Sequence, residues 1–123
     1  MRRREFRSDT MTRPTRAMRE AMLTAEVGDD VCGEDPTALR LEQLAAATVG
    51  TEAALFVPSG TFGNQCAIAV HTRPGDEVIL AESTHVIDHE AGAAAALSGV
   101  QTRTVAPART SWLTAADIAP RLR

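Results

Sequence analysis

The sequence predicts an α/β fold built on a mostly parallel sheet. Three short runs, 53–57, 77–81 and 100–105, read as strands covered on both faces. Helical segments and tight turns of a few residues separate them, which is the pattern of right-handed crossovers in an open sheet. At 123 residues and 13.1 kDa, with 44% hydrophobic and 24% charged residues, the chain is one globular domain at most. Three strands are few for a doubly wound sheet and leave an apolar edge unpaired, so the sheet is expected to be incomplete.

Residues 5–13 (EFRSDTMTR) lack sustained periodicity and end at Pro14, so 1–13 is expected as an extended arm ahead of a domain at 14–123. Between Thr15 and Ala25, the residues Ala17, Met18, Ala21, Met22 and Ala25 share one face and Arg16, Arg19 and Glu20 the other, which predicts a surface helix. Residues 27–35 (VGDDVCGED) carry two glycines and four carboxylates and read as a loop. Asp35 caps the next helix, with Pro36 in its first position, Leu41, Leu44, Ala45 and Thr48 as its inner stripe and Gly50 as its left-handed end. After the run 53–57, Pro58–Thr61 turns into a third helix over about 62–72, and Arg73–Asp76 forms the turn before the strand 77–81. A helix from Glu90 to Leu97 ends at Ser98–Gly99 and leads to the strand 100–105. Thr114 and Asp117 make a capping-box start for a last helix, with Pro120 six residues on.

Composition excludes several function classes. A formal net charge of −3, a pI near 5.6 and 3% aromatics supply neither a basic surface nor stacking platforms for nucleic acid. No apolar run reaches the length of a membrane span, and Glu5, Arg7 and Asp9 interrupt the stretch where a signal peptide needs apolar residues, so a soluble cytoplasmic protein is expected. Cys32 and Cys66 have no CxxC spacing and read as reduced thiols. All 13 basic residues are arginine, so neither a P-loop lysine nor a Schiff-base lysine can come from these residues.

The strongest local signal is Leu55-Phe56-Val57-Pro58-Ser59-Gly60-Thr61, a strand running into a helix through small residues. A helix N-terminus offers free N–H groups and a partial positive charge to a phosphate, and the Ser59 and Thr61 hydroxyls add donors; the competing reading is an ordinary N-cap. His85 lies just past the strand 77–81, at the edge where open α/β sheets bind ligands, against the alternative of a solvated or capping histidine. His85 and His89, four apart with Glu90 beside them and Cys66 as a possible neighbour, form a weaker metal-site candidate. His71 reads as a surface residue and the acidic loop as a solvated turn without the EF-hand ligand pattern.

The phrases RSDTMTRPT, EVGDDVCGEDPT, LFVPSGTFGNQ and THVIDHEAG, in this order, resemble the low-specificity L-threonine aldolases of the aromatic amino acid beta-eliminating lyase and threonine aldolase group. The resemblance runs from about Phe6 to Arg123 and implies the N-terminal part of the large domain of fold-type I pyridoxal-phosphate enzymes. It implies pyridoxal 5'-phosphate as cofactor, an amino acid as substrate, and retro-aldol cleavage of L-threonine or L-allo-threonine to glycine and acetaldehyde. It assigns Gly60 and Thr61, with Ser59 adjacent, to the cofactor phosphate, and His85 to stacking on the pyridine ring and to proton transfer or water positioning. Ser8 is assigned to the substrate carboxylate and Glu90 to the pocket; no metal ligand is implied. Dimers or tetramers with shared sites are implied as well, and Cys32 stands where the family usually has a tyrosine reaching a neighbouring subunit. By length, these residues correspond to the N-terminal third of such an enzyme. The Schiff-base lysine, the aspartate facing the pyridine nitrogen and the carboxylate-binding arginines lie in the remainder, so the chain alone is expected to be inactive. A non-catalytic cofactor-binding or association module, and a metal-binding domain on His85 and His89, are the competing classes.

Overall fold

The computed structural model describes residues 6–108 and 112–122. The first five residues of the expected arm, including its basic start, lie outside the described residues. The chain forms two compact units, Met1–Phe56 and Val57–Arg123.

In the first unit, a 3-10 turn, Asp9–Met11, interrupts the arm that was expected to be extended. Ser8 explains it: its hydroxyl accepts the Thr10 N–H, the local bond with which serine competes against extended backbone. Helix α1 spans Arg16–Thr24, with the Thr15 hydroxyl accepting the Met18 N–H as N-cap. Its predicted apolar face is present but uncovered, and no residue of α1 is buried.

The loop that follows holds a 3-10 turn, Asp30–Cys32, capped by Asp29. Gly28 sits so close to the returning chain that a Cβ there would lie 2.2 Å from the Glu34 carbonyl oxygen. Helix α2, Pro36–Val49, begins and ends where the sequence places it, with Asp35 accepting the Thr37 and Ala38 N–H groups and Gly50 in the left-handed conformation at φ 74°. Its inner stripe is not the predicted one. Ala46 is its buried residue, while Leu41, Leu44 and Thr48 are exposed. Segment 52–54 faces Leu39, Glu42, Gln43 and Ala46 across a shared cavity, on a different side of α2 from Leu41 and Leu44.

Residues 53–57 are not a strand. An extended segment becomes a strand only when its backbone finds a ladder, and here the Phe56 N–H goes instead to the Glu42 carboxylate at 2.7 Å. Leu55 and Phe56 are consequently exposed rather than covered on both faces.

In the second unit, α3 spans Gly60–His71, two residues earlier at its start than predicted because Ser59, not Thr61, caps it. The sheet of the described residues has two strands, β1 at Glu77–Ala81 and β2 at Gln101–Val105, paired in parallel from Glu77 opposite Gln101 to Ala81 opposite Val105. The α/β class and the parallel pairing therefore hold. An ion pair joins Arg103 to Glu77 at 2.6 Å beside the ladder. Cover is thinner than the sequence reading supposed: all five β1 residues are half-buried, and of β2 only Val105 is buried. The expected helix from Glu90 is instead two short ones, α4 at His85–Asp88 and α5 at Ala93–Ser98. Two left-handed residues, Ala91 at φ 51° and Gly92 at φ 73°, break the helical path between them. Helix α5 packs on α3 and β2, and Ala94, Val100 and Val105 form the apolar core of this unit. A final turn, α6 at Ala115–Ile118, starts at Thr114, whose N–H is accepted by Asp117 at 2.8 Å, and passes into a 3-10 turn at Ala119–Arg121 that carries Pro120. No helix among the described residues is long and apolar enough to cross a membrane.

Candidate functional site

The N-terminus of α3 is built by Ser59. Its backbone is extended and its hydroxyl accepts the Phe62 N–H at 3.1 Å, while its carbonyl accepts the Gly63 N–H at 3.1 Å. The capping reading is therefore correct for Ser59. It does not use up the helix end: the Gly60 and Thr61 N–H groups have no acceptor among the described residues, and the space around Gly60 is open to 4 Å. Twelve aligned peptide dipoles point their positive end at these groups.

One turn further along α3, Asn64 and Gln65 reach the carboxylate of Glu90. The Asn64 Nδ2 donates to Glu90 Oε1 at 2.7 Å and the Gln65 Nε2 to Oε2 at 2.6 Å. His85, at the first position of α4 beyond the carboxyl end of β1, places Nδ1 2.8 Å from the same Oε1. The Glu90 side chain is 0% exposed and that of His85 is 57% exposed, so a buried anion holds the Nδ1 edge of a partly exposed ring. The left-handed pair Ala91–Gly92 puts Glu90 in the bend from which it reaches all three partners. Hydrogen bonds from Asn64, then Gln65, then His85 hold the Glu90 carboxyl below its ordinary value despite burial, so it is ionised at neutral pH.

The structure thus brings Ser59, Gly60, Thr61, His85 and Glu90 into one unit, with α3 carrying one group and bonding the other. A rise of about 1.5 Å per residue sets Asn64 about 6 Å along the helix from Gly60. Ser8 belongs to the first unit, where its exposed hydroxyl is also 2.8 Å from that of Thr10. His85 and His89 do not share a helix face as expected, because α4 ends at Asp88; their rings still approach to 5.1 Å at a tilt of 57°. No group of three potential ligands for a metal ion occurs among the described residues. The acidic loop's Asp29 and Asp35 are occupied by backbone N–H groups, which accounts for Asp35 being held below the ordinary carboxylate range by Ala38, then Gly28. Cys32 is exposed at the end of its 3-10 turn.

The sequence reading missed Asn64 and Gln65. The available signal was polarity in the wrong place: Gln65 is the buried residue of α3, on a face where an apolar side chain was due.

The sequence profile of the family described as Beta-eliminating lyase matches residues 5–123. The chain belongs to the beta-eliminating lyase family. Similar proteins within reach of this family include "Probable low-specificity L-threonine aldolase 2" of Arabidopsis thaliana, 54% identical over 102 residues, or 82% of this chain and 29% of that protein. "Low specificity L-threonine aldolase" of Escherichia coli (strain K12) is 43% identical over 119 residues, 97% of this chain and 36% of that protein. "Low specificity L-threonine aldolase" of Saccharomyces cerevisiae is 44% identical over 115 residues, 93% of this chain and 30% of that protein. This beta-eliminating lyase chain therefore spans about a third of the length of the curated relatives it matches.

Proposed function

We propose that this chain provides the phosphate cradle and the ring-facing histidine of a pyridoxal-phosphate-dependent carbon–carbon lyase acting on L-threonine or L-allo-threonine. The observation that carries the reading is the pair of free N–H groups at Gly60 and Thr61, on the helix that also holds Glu90 and, through it, His85. The residues fit the cofactor: a doubly charged phosphate needs donors, and Gly60, Thr61 and the open space around Gly60 offer them. The partly exposed His85 imidazole offers a flat face to the pyridine ring.

When bound, pyridoxal 5'-phosphate supplies an electron sink for the pair released as the Cα–Cβ bond breaks. The protein's share of the chemistry is different. Gly60, Thr61 and Ser59 anchor the phosphate and so fix the ring against His85, whose imidazole takes the proton from the substrate's β-hydroxyl directly or through a water. Ser8 donates to the substrate carboxylate, and Glu90 steadies His85 within the pocket. Bond cleavage then releases acetaldehyde, and a proton returned to Cα completes glycine. The lysine that such an enzyme requires has to come from outside these 123 residues, whose basic side chains are all arginine. The reading also takes 1–13 as an arm, 14–123 as part of the cofactor-binding large domain, and a dimer or tetramer as the working assembly.

Binding of pyridoxal 5'-phosphate and of pyridoxal, followed by fluorescence, tests the cradle. The phosphorylated form is expected to bind and the other not, with Thr61→Ala weakening it about tenfold, or about 1.4 kcal/mol. Equal binding of the two compounds would overturn the reading, whereas an unchanged affinity in Thr61→Ala, which keeps the backbone N–H, would remove only the Thr61 hydroxyl from the cradle.

A further inference from the structure

We propose that Glu90, held by Asn64 and Gln65, is a positioning residue that fixes the His85 imidazole as the Nδ1–H tautomer and leaves Nε2 as its proton-accepting nitrogen. An ionised carboxylate only accepts hydrogen bonds, so the 2.8 Å contact with Nδ1 requires that nitrogen to carry the hydrogen. The same oxygen also takes Asn64 at 2.7 Å, and the second oxygen takes Gln65 at 2.6 Å. Neither oxygen is left to swing away from the ring.

The amide of Gln65 shows which group this cluster serves. Its nitrogen is turned to Glu90, and its Oε1 is left buried with no hydrogen-bond partner. Turned over, the amide would present an oxygen to a carboxylate, so the negative charge at Glu90 fixes its direction. Two helices and a bend are thereby spent on one ring: α3 supplies the donors, α4 the histidine, and the left-handed Ala91–Gly92 pair the reach of Glu90. The His85 side chain is 57% exposed, and with Nδ1 held by the wholly buried carboxylate Nε2 is the nitrogen left without that partner. Holding the second nitrogen of a working histidine in this way sets both its tautomer and its orientation. The significance for proton transfer rests on the proposed role of His85; the tautomer itself does not.

Solid-state nitrogen NMR of the sedimented protein, labelled with nitrogen-15 in its 3 histidines, tests this whatever the association state. His71→Asn and His89→Asn identify the His85 signals. At about pH 9, above the ordinary imidazole range, His85 is expected to show a protonated Nδ1 and a bare Nε2. Glu90→Ala should shift it to the mixture of free imidazole, in which Nε2 carries most of the hydrogen. Glu90→Gln keeps an acceptor, with Gln65 free to turn its Oε1 to the new amide, and should retain the wild-type tautomer. If Glu90→Ala loses its helical circular dichroism, Glu90→Asp, which withdraws the acceptor by one methylene, replaces it with the same expected shift. A bare Nδ1 in the wild type, or a wild-type spectrum in the variant that lacks the acceptor at its native reach, overturns the proposal. The phosphate-binding comparison fails or succeeds independently, so the two readings can be told apart.

Discussion

Glu90 shows how a single buried charge is made tolerable. Burial opposes ionisation, yet three donors around the carboxylate outweigh it and hold its pKa below the ordinary 4.5. A carboxyl whose pKa is lower folded than unfolded stabilises the fold above the unfolded value and loses that contribution as the pH falls through the folded one. Urea midpoints measured across a pH series should therefore drop on the acid side of 4.5, and Glu90→Gln should flatten part of that drop. Only part, because Asp35 and Asp117 are lowered too, by backbone donors and by the Thr114 hydroxyl respectively. An acid limb as steep in Glu90→Gln as in the wild type would show that the carboxylate is not stabilised as the hydrogen bonds indicate.

At the scale of the element, the helix ends decide where chemistry sits. Gly50 closes α2 at φ 74°, and Gly50→Ala should cost about 1–2 kcal/mol, read as a lower urea midpoint, because an L side chain there meets its own carbonyl. The bend at Ala91 works in the opposite sense: a non-glycine residue is held at φ 51° so that Glu90 can face α3. Ala91→Gly should raise stability by about 1 kcal/mol while leaving the His85 signals unchanged. No gain, with the His85 environment preserved, would mean that the left-handed turn stores no strain.

For the whole chain, the decisive quantity is how little is covered. Among the described residues the buried apolar ones are Ala46, Ala94, Val100 and Val105, whereas Met22, Leu23, Leu44, Leu55, Val70 and Leu97 stand exposed. At roughly 25 cal/mol per Å², such surface favours association with a second copy or with further chain. Sedimentation should show concentration-dependent oligomers. A strictly monomeric species with a sharp calorimetric transition would show that this stretch is self-sufficient. Borohydride reduction in the presence of pyridoxal 5'-phosphate should label no side chain, because the 13 basic residues are all arginine and only the α-amino group of Met1 can condense. A pyridoxyl adduct mapped to any other residue contradicts this.

What the sequence determined by itself is what local chemistry determines. Thr15, Asp35 and Ser59 start helices because a side-chain oxygen reaches an N–H two or three residues on, Gly50 stops one because it tolerates that backbone, and the runs at 77–81 and 100–105 carry the aliphatic and β-branched residues that favour strands. The Ser59 start of α3 and the place of His85 just past β1 were legible for the same reason, as residues at the mouth of an element. Tertiary structure decided everything that depends on a partner distant along the chain. Residues 53–57 carry a strand's composition but no ladder, since the Phe56 N–H is bonded to Glu42. The stripe of Leu41 and Leu44 has the right period and nothing laid over it. The joining of Asn64, Gln65 and His85 to Glu90 spans 26 residues from Asn64 to Glu90, and only the path through α3, β1 and the Ala91–Gly92 bend brings those three side chains to the one buried carboxylate.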